Sequence, residues 1–349
     1  MEIQLPVKQS GNAYSQFLEA TLRLGMQCVP ETIRRRAVQF VRRKQTPQGG
    51  FRGRSLEPDI YYSAFALRVL NLSGELNGQY LQPTCSWLAQ LGLPSQNLVN
   101  LYSYCHCLVT LAESNDSKLV LIWRQAQDTL PRLLGNYRTQ QGGFAARPGD
   151  SHPTTYQTFL ALLCYDLVNQ SPPNPEQITS WLMSQRRPDG GFADHELAPL
   201  SATNPTAAAL ASLFMTGGIS DELREQVIRF LLHLYVPHLG FRAHTRTPIP
   251  DLLSTFTALW TLWQLGAFNL FDIEQLYYSI AAYQHSCGGF FAHLADSLSG
   301  QAASEESLEA DLDVEYTFYG LASLSLLTLH RRRENMNLLT TAHQNDKGT

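Results

Sequence analysis

The sequence has no apolar run long enough to span a bilayer. Its start, Met1–Pro6, lacks the basic-then-apolar pattern of a secretory signal. Both absences predict a cytoplasmic protein. No excess of either charge is present: 26 Lys and Arg stand against 30 Asp and Glu, a net charge of −4. That balance argues against bulk nucleic-acid binding. The basic residues are mostly Arg, which offers phosphate and carboxylate a fixed fork, although an Arg-rich genome gives the same bias. Cysteine is sparse, at six residues without metal-type doublets. In the one cluster, Cys105-His106-Cys107, residues i and i+2 of a helix diverge, so it reads as packing among reduced thiols. No Pro/Ser-rich linker divides the chain, which argues for one continuous body.

What the chain does have is a recurring turn. Gln48-Gly49-Gly50-Phe51 returns as Gln141–Phe144, Asp189–Phe192 and Cys287–Phe290, with a degraded copy at Leu239-Gly240-Phe241. The marks fall at 50, 143, 191, 240 and 289, a period of about 48 residues with one mark missing near Leu91–Gln96. Such a period signals a repeat architecture. Before each turn runs an amphipathic stretch, read as an outer helix, and after it an almost wholly apolar one, read as a buried inner helix. Outer helices are expected to start near Pro30, Leu76, Lys118, Asn174, Ser220 and Asp272, and inner ones near Asp59, Leu98, His152, Asn204, Asp251 and Asp313. One hairpin cannot bury its own apolar face, whereas six can by closing into a ring. The expected fold is all-α, an α/α toroid of six hairpins; an open superhelix satisfies the same period. Residues 1–29 form an N-terminal extension with a helix over Tyr14–Met26, 30–330 the toroid, and 331–349 a polar, frayed tail. A long polar insert, Asp296–Glu309, maps to a loop on one face.

In such a ring the inner helices all begin at one end, where unpaired N–H groups and the positive dipole ends gather. The loops before them carry Arg52, Arg54, Arg147, His152, Arg242, His244 and Arg246, a rim suited to phosphate or diphosphate. Below it, Tyr61, Tyr62, Phe65, Tyr104, Tyr156, Phe159, Phe256, Trp260, Tyr316 and Tyr319 could line an apolar shaft. A basic mouth over an aromatic shaft suits an amphiphile with an anionic head and a hydrocarbon tail, such as an isoprenoid diphosphate. Plainer readings exist: Asp59, Asp251 and Asp313 stand where helix caps stand, and inner aromatics commonly fill cores.

Gly-Gly-Phe turns followed by an inner helix resemble the prenyltransferase and squalene-cyclase repeat proteins, over roughly residues 30–329. The chain looks most similar to protein prenyltransferase β subunits of the geranylgeranyl type. The stretch Gly143–His152 is similar to the loop whose His meets the lipid diphosphate, which implies that role for His152. Pro250-Asp251-Leu252-Leu253-Ser254 is similar to the Pro-Asp-x-Cys-Tyr segment that supplies two zinc ligands. Asp313-Val314-Glu315-Tyr316-Thr317, with Gly320–Leu326, is similar to the Asp-x-x-His-Thr segment that supplies the third. The zinc Cys falls on Leu253 and the zinc His on Tyr316, so zinc is not expected, whereas Mg2+ is compatible with a diphosphate. The family also works with a helical-repeat α subunit, which the resemblance implies as a partner. The related class II terpene cyclases protonate an alkene from an Asp-x-Asp-Asp motif; Asp311-Leu312-Asp313-Val314-Glu315 keeps two of its acids and adds one.

The resemblance therefore implies an isoprenoid diphosphate held by Arg147, His152, Arg242 and Arg246. Its tail would lie against Tyr156, Trp260 and Tyr316, and Asp251, Asp313 and Glu315 would face the reacting end, for a prenyl transfer that does not use the usual zinc site. The alternatives are a cyclase with Asp313 as acid and a non-catalytic lipid or peptide binder on the same ring.

Overall fold

The computed structural model describes residues 14–76, 78–112, 117–293 and 312–345; the insert Asp296–Glu309 and Asp311 lie outside them. The described residues form six outer helices: α2 (Glu31–Arg43), α4 (Gly78–Leu91), α6 (Ser117–Gly135), α8 (Pro175–Ser184), α10 (Asp221–Leu234) and α12 (Ile273–Ala282). They alternate with six inner ones: α3 (Ile60–Leu72), α5 (Leu98–Ala112), α7 (Thr155–Leu167), α9 (Thr203–Thr216), α11 (Leu252–Gln264) and α13 (Val314–Asn345). A further helix, α1 (Tyr14–Met26), precedes them. Each inner helix packs on the next, and α13 returns to α3, so the ring is closed. This settles the choice between toroid and open superhelix.

The recurring turn builds each hairpin through one polar device. The buried Phe donates its N–H to a hydroxyl on the inner helix that follows: Phe51 to Ser63 at 2.8 Å, Phe144 to Thr158 at 3.0 Å, Phe192 to Thr206 at 2.9 Å, Phe241 to Thr255 at 3.0 Å and Phe290 to Thr317 at 3.3 Å. A buried N–H left unpaired would cost about 1–3 kcal/mol, so each hydroxyl fixes where its helix sits. A second bond links neighbouring repeats. The first N–H groups of inner helices donate to the carbonyl two residues past the next Phe, as in Leu98 to Ala146, Thr155 to Asp194, Thr203 to Ala243 and Leu252 to Ala292, at 2.7–3.0 Å. Within the turn, Gly142 has φ +107°, where a side chain is strained, and a Cβ on Gly143 would lie 2.7 Å from the Trp181 ring of α8. The degraded fifth copy makes a different turn, a short antiparallel pair of β1 (Tyr235–Val236) and β2 (Gly240–Phe241).

The last repeat closes on the first in the outer ring too. Lys44 Nζ donates to Leu312 O at 2.9 Å and Gln284 Nε2 to Ile33 O at 2.9 Å. The helix α1 lies outside this alternation. It packs on α13, α7 and α3, elements from different sides of the ring, and so crosses one end of the barrel. Asp166 of α7 caps it from outside its own sequence, accepting from Tyr14 N at 2.7 Å, Ser15 N at 2.8 Å and Ser15 Oγ at 2.6 Å. Helix α13 runs past Arg331, where the polar sequence suggests a tail, to Asn345.

Candidate functional site

Because the inner helices are parallel and share one starting level, the residue second in each faces the barrel axis with those three to four positions further on. Tyr61, Phe65 and Arg68 do so from α3, Tyr102 and His106 from α5, and Tyr156, Phe159 and Leu163 from α7. Helix α9 contributes the small Ala207, Ala208 and Ala211, α11 contributes Leu253, Phe256 and Trp260, and α13 contributes Glu315 and Tyr319. These residues enclose a mainly apolar cavity of about 530 Å³, within the range of small-molecule sites. Tyr14, Ser15, Leu18 and Glu19 of α1 form its floor. Tyr61 to Arg68, like Tyr156 to Leu163, spans seven residues of helix between mouth and floor, a depth of about 10 Å. The wall is ordered by its own contacts. Phe256 stacks on Tyr319 with centroids 5.7 Å apart, and Trp260 Nε1 donates to Tyr14 OH at 2.7 Å.

Acids gather at the mouth. Glu315 accepts from Tyr61 OH at 2.6 Å and also meets the Tyr319 hydroxyl. Burial, reinforced by Asp313, pushes its carboxyl up despite those bonds. Asp313 is 1% exposed, accepts from Tyr316 N at 3.0 Å and pairs with Arg54 Nε at 3.3 Å. Burial pushes it up as well, against the pull of the Tyr316 N–H and Arg54. Burial thus lifts both carboxyls above the ordinary carboxylate range, and of the two it is Glu315 that lines the apolar cavity. The phenols nearby are also driven up: Tyr156 to about 12, chiefly by burial and then by Glu315, and Tyr61 and Tyr319 further for the same two reasons.

The residues expected from sequence separate into two groups. Tyr156, Trp260 and Glu315 line the cavity, and Asp313 and Tyr316 stand beside its mouth. Asp251 caps α11 with both oxygens engaged, accepting from Ser254 N and Ser254 Oγ at 2.7 Å each. The basic residues do not converge on the cavity. Arg147 and Arg246 are exposed on loops. His152 bonds Ser151 Oγ at 3.1 Å and lines a separate recess with Trp181 and His195. Arg242 turns outward to the carbonyl of His233 at the end of α10. Among the expected shaft aromatics, Tyr104 points the other way, to Leu88 O of α4 at 3.2 Å. Tyr102 takes its place, two residues and about 200° around the helix away. Arg68, Glu19, His106, Asn204 and Asp194 also line the cavity and were not signalled by sequence; the nearest hint was His106 in the cysteine cluster.

A zinc ion of the kind the resemblance implies does not fit. Asp251 already spends its oxygens on Ser254, Leu253 offers only hydrocarbon, and the Tyr316 phenol is pushed up to about 12 by burial and Glu315, so it stays protonated. Among the described residues no three His, Cys, Asp or Glu side chains form a metal-holding group.

The model of the prenyltransferase alpha-alpha toroid domain matches residues 8–89, 89–199 and 206–347. No curated protein sequence matches the chain. Among solved structures, the chain is similar to Candida albicans protein geranylgeranyltransferase-I complexed with GGPP. That match has a TM-score of 0.63 and 14% identity, covering 84% of this chain and 90% of that one. It is also similar to the type II terpene cyclase MstE from Scytonema in complex with geranylgeranyl dihydroxybenzoate, with a TM-score of 0.56 and 12% identity over 87% of this chain and 97% of that one. An alpha-1,6-mannanase of Salegentibacter, with a TM-score of 0.57 and 15% identity over 85% of this chain and 98% of that one, has the same architecture. At these identities the likeness is one of fold, which hosts unrelated chemistries.

Proposed function

The chain belongs to the prenyltransferase alpha-alpha toroid family, and from that premise we propose that its central cavity binds an isoprenoid amphiphile. One observation carries the reading: an apolar, aromatic-walled cavity of about 530 Å³ with a floor beneath and titratable groups at its mouth. The hydrocarbon chain lies among Phe65, Phe159, Phe256 and Trp260, and the head group stays near Arg54, Tyr61 and Glu315. Arg147, His152 and Arg246, on outer loops, reach only a head that projects above the mouth. Isothermal titration with geranylgeranyl diphosphate tests this. The expected result is saturable binding that is lost in Ala211→Phe, which fills the cavity without touching a charge. Saturable binding that survives Ala211→Phe, or none in the native protein, sinks the reading.

A specific observation favours acid chemistry over zinc-dependent transfer: burial raises both Asp313 and Glu315 above the ordinary carboxylate range, and the zinc donors are absent from their positions. On this reading a carboxylic acid at the mouth donates its proton to an alkene carbon of the bound chain. The resulting cation loses a proton elsewhere, so the net change is isomerisation with the head group retained. The likeness in fold to the Scytonema type II terpene cyclase, 97% of which this chain covers, supports this reading. Product analysis separates the outcomes. A cyclic product that keeps its diphosphate supports protonation, release of diphosphate supports prenyl transfer, and binding without turnover supports a carrier.

A further inference from the structure

Negative charge already occupies the mouth of the cavity. Four of the six inner helices begin on a carboxylate of the protein itself. Asp59 accepts from Tyr61 N at 2.7 Å on α3, Asp194 from Tyr156 N at 3.1 Å on α7, Asp251 from Ser254 N at 2.7 Å on α11 and Asp313 from Tyr316 N at 3.0 Å on α13. A helix start is where a diphosphate would be seated, and here side-chain acids hold those seats. Asp194 and Glu315 line the cavity, and Asp313 lies beside them.

Cations do not offset these acids. Arg54 is paired with Asp313 at 3.3 Å, and its side chain is 60% exposed. Arg68, lower in the cavity, is engaged by Glu19, with Nε 2.8 Å from Oε1. His106 Nε2 lies 3.7 Å from the same oxygen, and burial pushes its imidazole down, toward the neutral form. A diphosphate calls for several charged donors, and Arg147 and Arg246 are exposed on outer loops. An anionic head beside Glu315 would add like-charge repulsion to a carboxyl that burial and Asp313 already raise. Among the described residues no three His, Cys, Asp or Glu side chains could together hold a cation to bridge the two.

What the mouth does offer suits a hydroxyl. Tyr156 is 39% exposed, and its phenol has no hydrogen-bond partner among the described residues. It keeps its proton, because burial, then Glu315 and Asp194, push it up to about 12. Asn204, whose Oδ1 accepts from Thr257 Oγ1 at 2.8 Å, adds an amide to the cavity wall. A phenol that donates and carboxylates that accept match a group that does both.

We propose that the cavity takes an isoprenoid whose head is an uncharged hydroxyl, of an alcohol or a phenol, in preference to a diphosphate. This rests on the reading of the cavity as an isoprenoid site and adds the chemistry of the head. The test measures equilibrium binding to the full chain of one hydrocarbon with three heads: geranylgeraniol, geranylgeranylamine and geranylgeranyl diphosphate. The amine is charged, as the diphosphate is, and so separates electrostatics from simple partition into an apolar pocket. The alcohol and the amine are each expected to bind about tenfold tighter or more than the diphosphate, which still binds measurably through its hydrocarbon. Added Mg2+ leaves that order unchanged. A diphosphate that binds as tightly as the alcohol, or overtakes it in Mg2+, overturns the proposal and leaves the isoprenoid reading standing. An amine no tighter than the diphosphate shows that partition sets the order, and also overturns it. In Asp194→Asn, which keeps an acceptor for Tyr156 N, the lead of the amine over the diphosphate narrows about threefold or more; an unchanged lead in a folded variant counts against the proposal, and the native series decides by itself if the variant does not fold. Failure of all three compounds to bind removes the isoprenoid reading and this proposal together.

Discussion

At the scale of single residues, the ionisable groups of the cavity pull in opposite directions as pH changes. Glu315 has a folded-state pKa above its unfolded value of 4.5. Its contribution to stability is therefore complete below that value and is lost as pH rises through the folded one. Glu315→Gln removes the burden of a buried charge, so its melting temperature is expected to match the native protein near pH 4 and exceed it near pH 8, read by calorimetry. A variant less stable than the native protein at pH 8 would show that the carboxylate is not strained there. The buried hydroxyls give a second residue-scale prediction. Thr158→Val keeps the shape but orphans the Phe144 N–H, at a cost of about 1–3 kcal/mol, and Thr158→Ser recovers most of it; urea denaturation of both measures this. Legibility also has a residue scale. Tyr156 and Trp260 were readable because their place on an inner helix sets their direction, and Glu315 because it stands in the acidic segment that opens the last inner helix. Glu19, Arg68 and His106 were not, because each is an ordinary residue on its own helix and becomes unusual only where three distant helices meet. The basic loop residues misled for a related reason. Their count was visible in the chain, but their direction depends on carbonyls such as that of His233, which draw Arg242 away from the axis.

At the scale of elements, the helices followed from period and polarity almost unaided. The observed starts fall within three residues of those expected from sequence; the largest offset is at α7, which begins at Thr155 rather than His152 because Thr154 takes the cap, accepting from Gln157 N at 3.1 Å. The second hairpin has no Gly-Gly-Phe turn because only the short stretch from Gly92 to Asn97 joins α4 to α5. What sequence could not assign was the place of α1. As an amphipathic extension it could have packed outside the ring; its seat inside depends on Asp166, more than 150 residues away. Asp166→Ala is expected to cost about 1–2 kcal/mol, as for a lost helix cap. Hydrogen exchange would speed up across 14–26 and little in α7. Uniform acceleration over all helices would mean instead that α1 cannot move without the barrel.

At the scale of the whole molecule, the question that sequence left open was closure, because the contacts that decide it join residues about 250 positions apart, such as Gln284 and Ile33. An open stack of repeats can fray from its ends, whereas a ring has none. Gly288 lies at the seam, with φ +102° and room for no side chain, since a Cβ there would fall 2.1 Å from Arg36 O of α2. Gly288→Ala is therefore expected to split a single unfolding transition in two, with α2 and α12 losing exchange protection first. A uniform loss of protection in one transition would show that the seam is no weaker than any other joint. Closure together with α1 also governs traffic. With one end of the barrel shut, a molecule enters and departs by the same doorway, so product must vacate before the next substrate arrives. Any turnover here should then show competitive inhibition by its own product, and egress rather than bond-making is expected to set the pace.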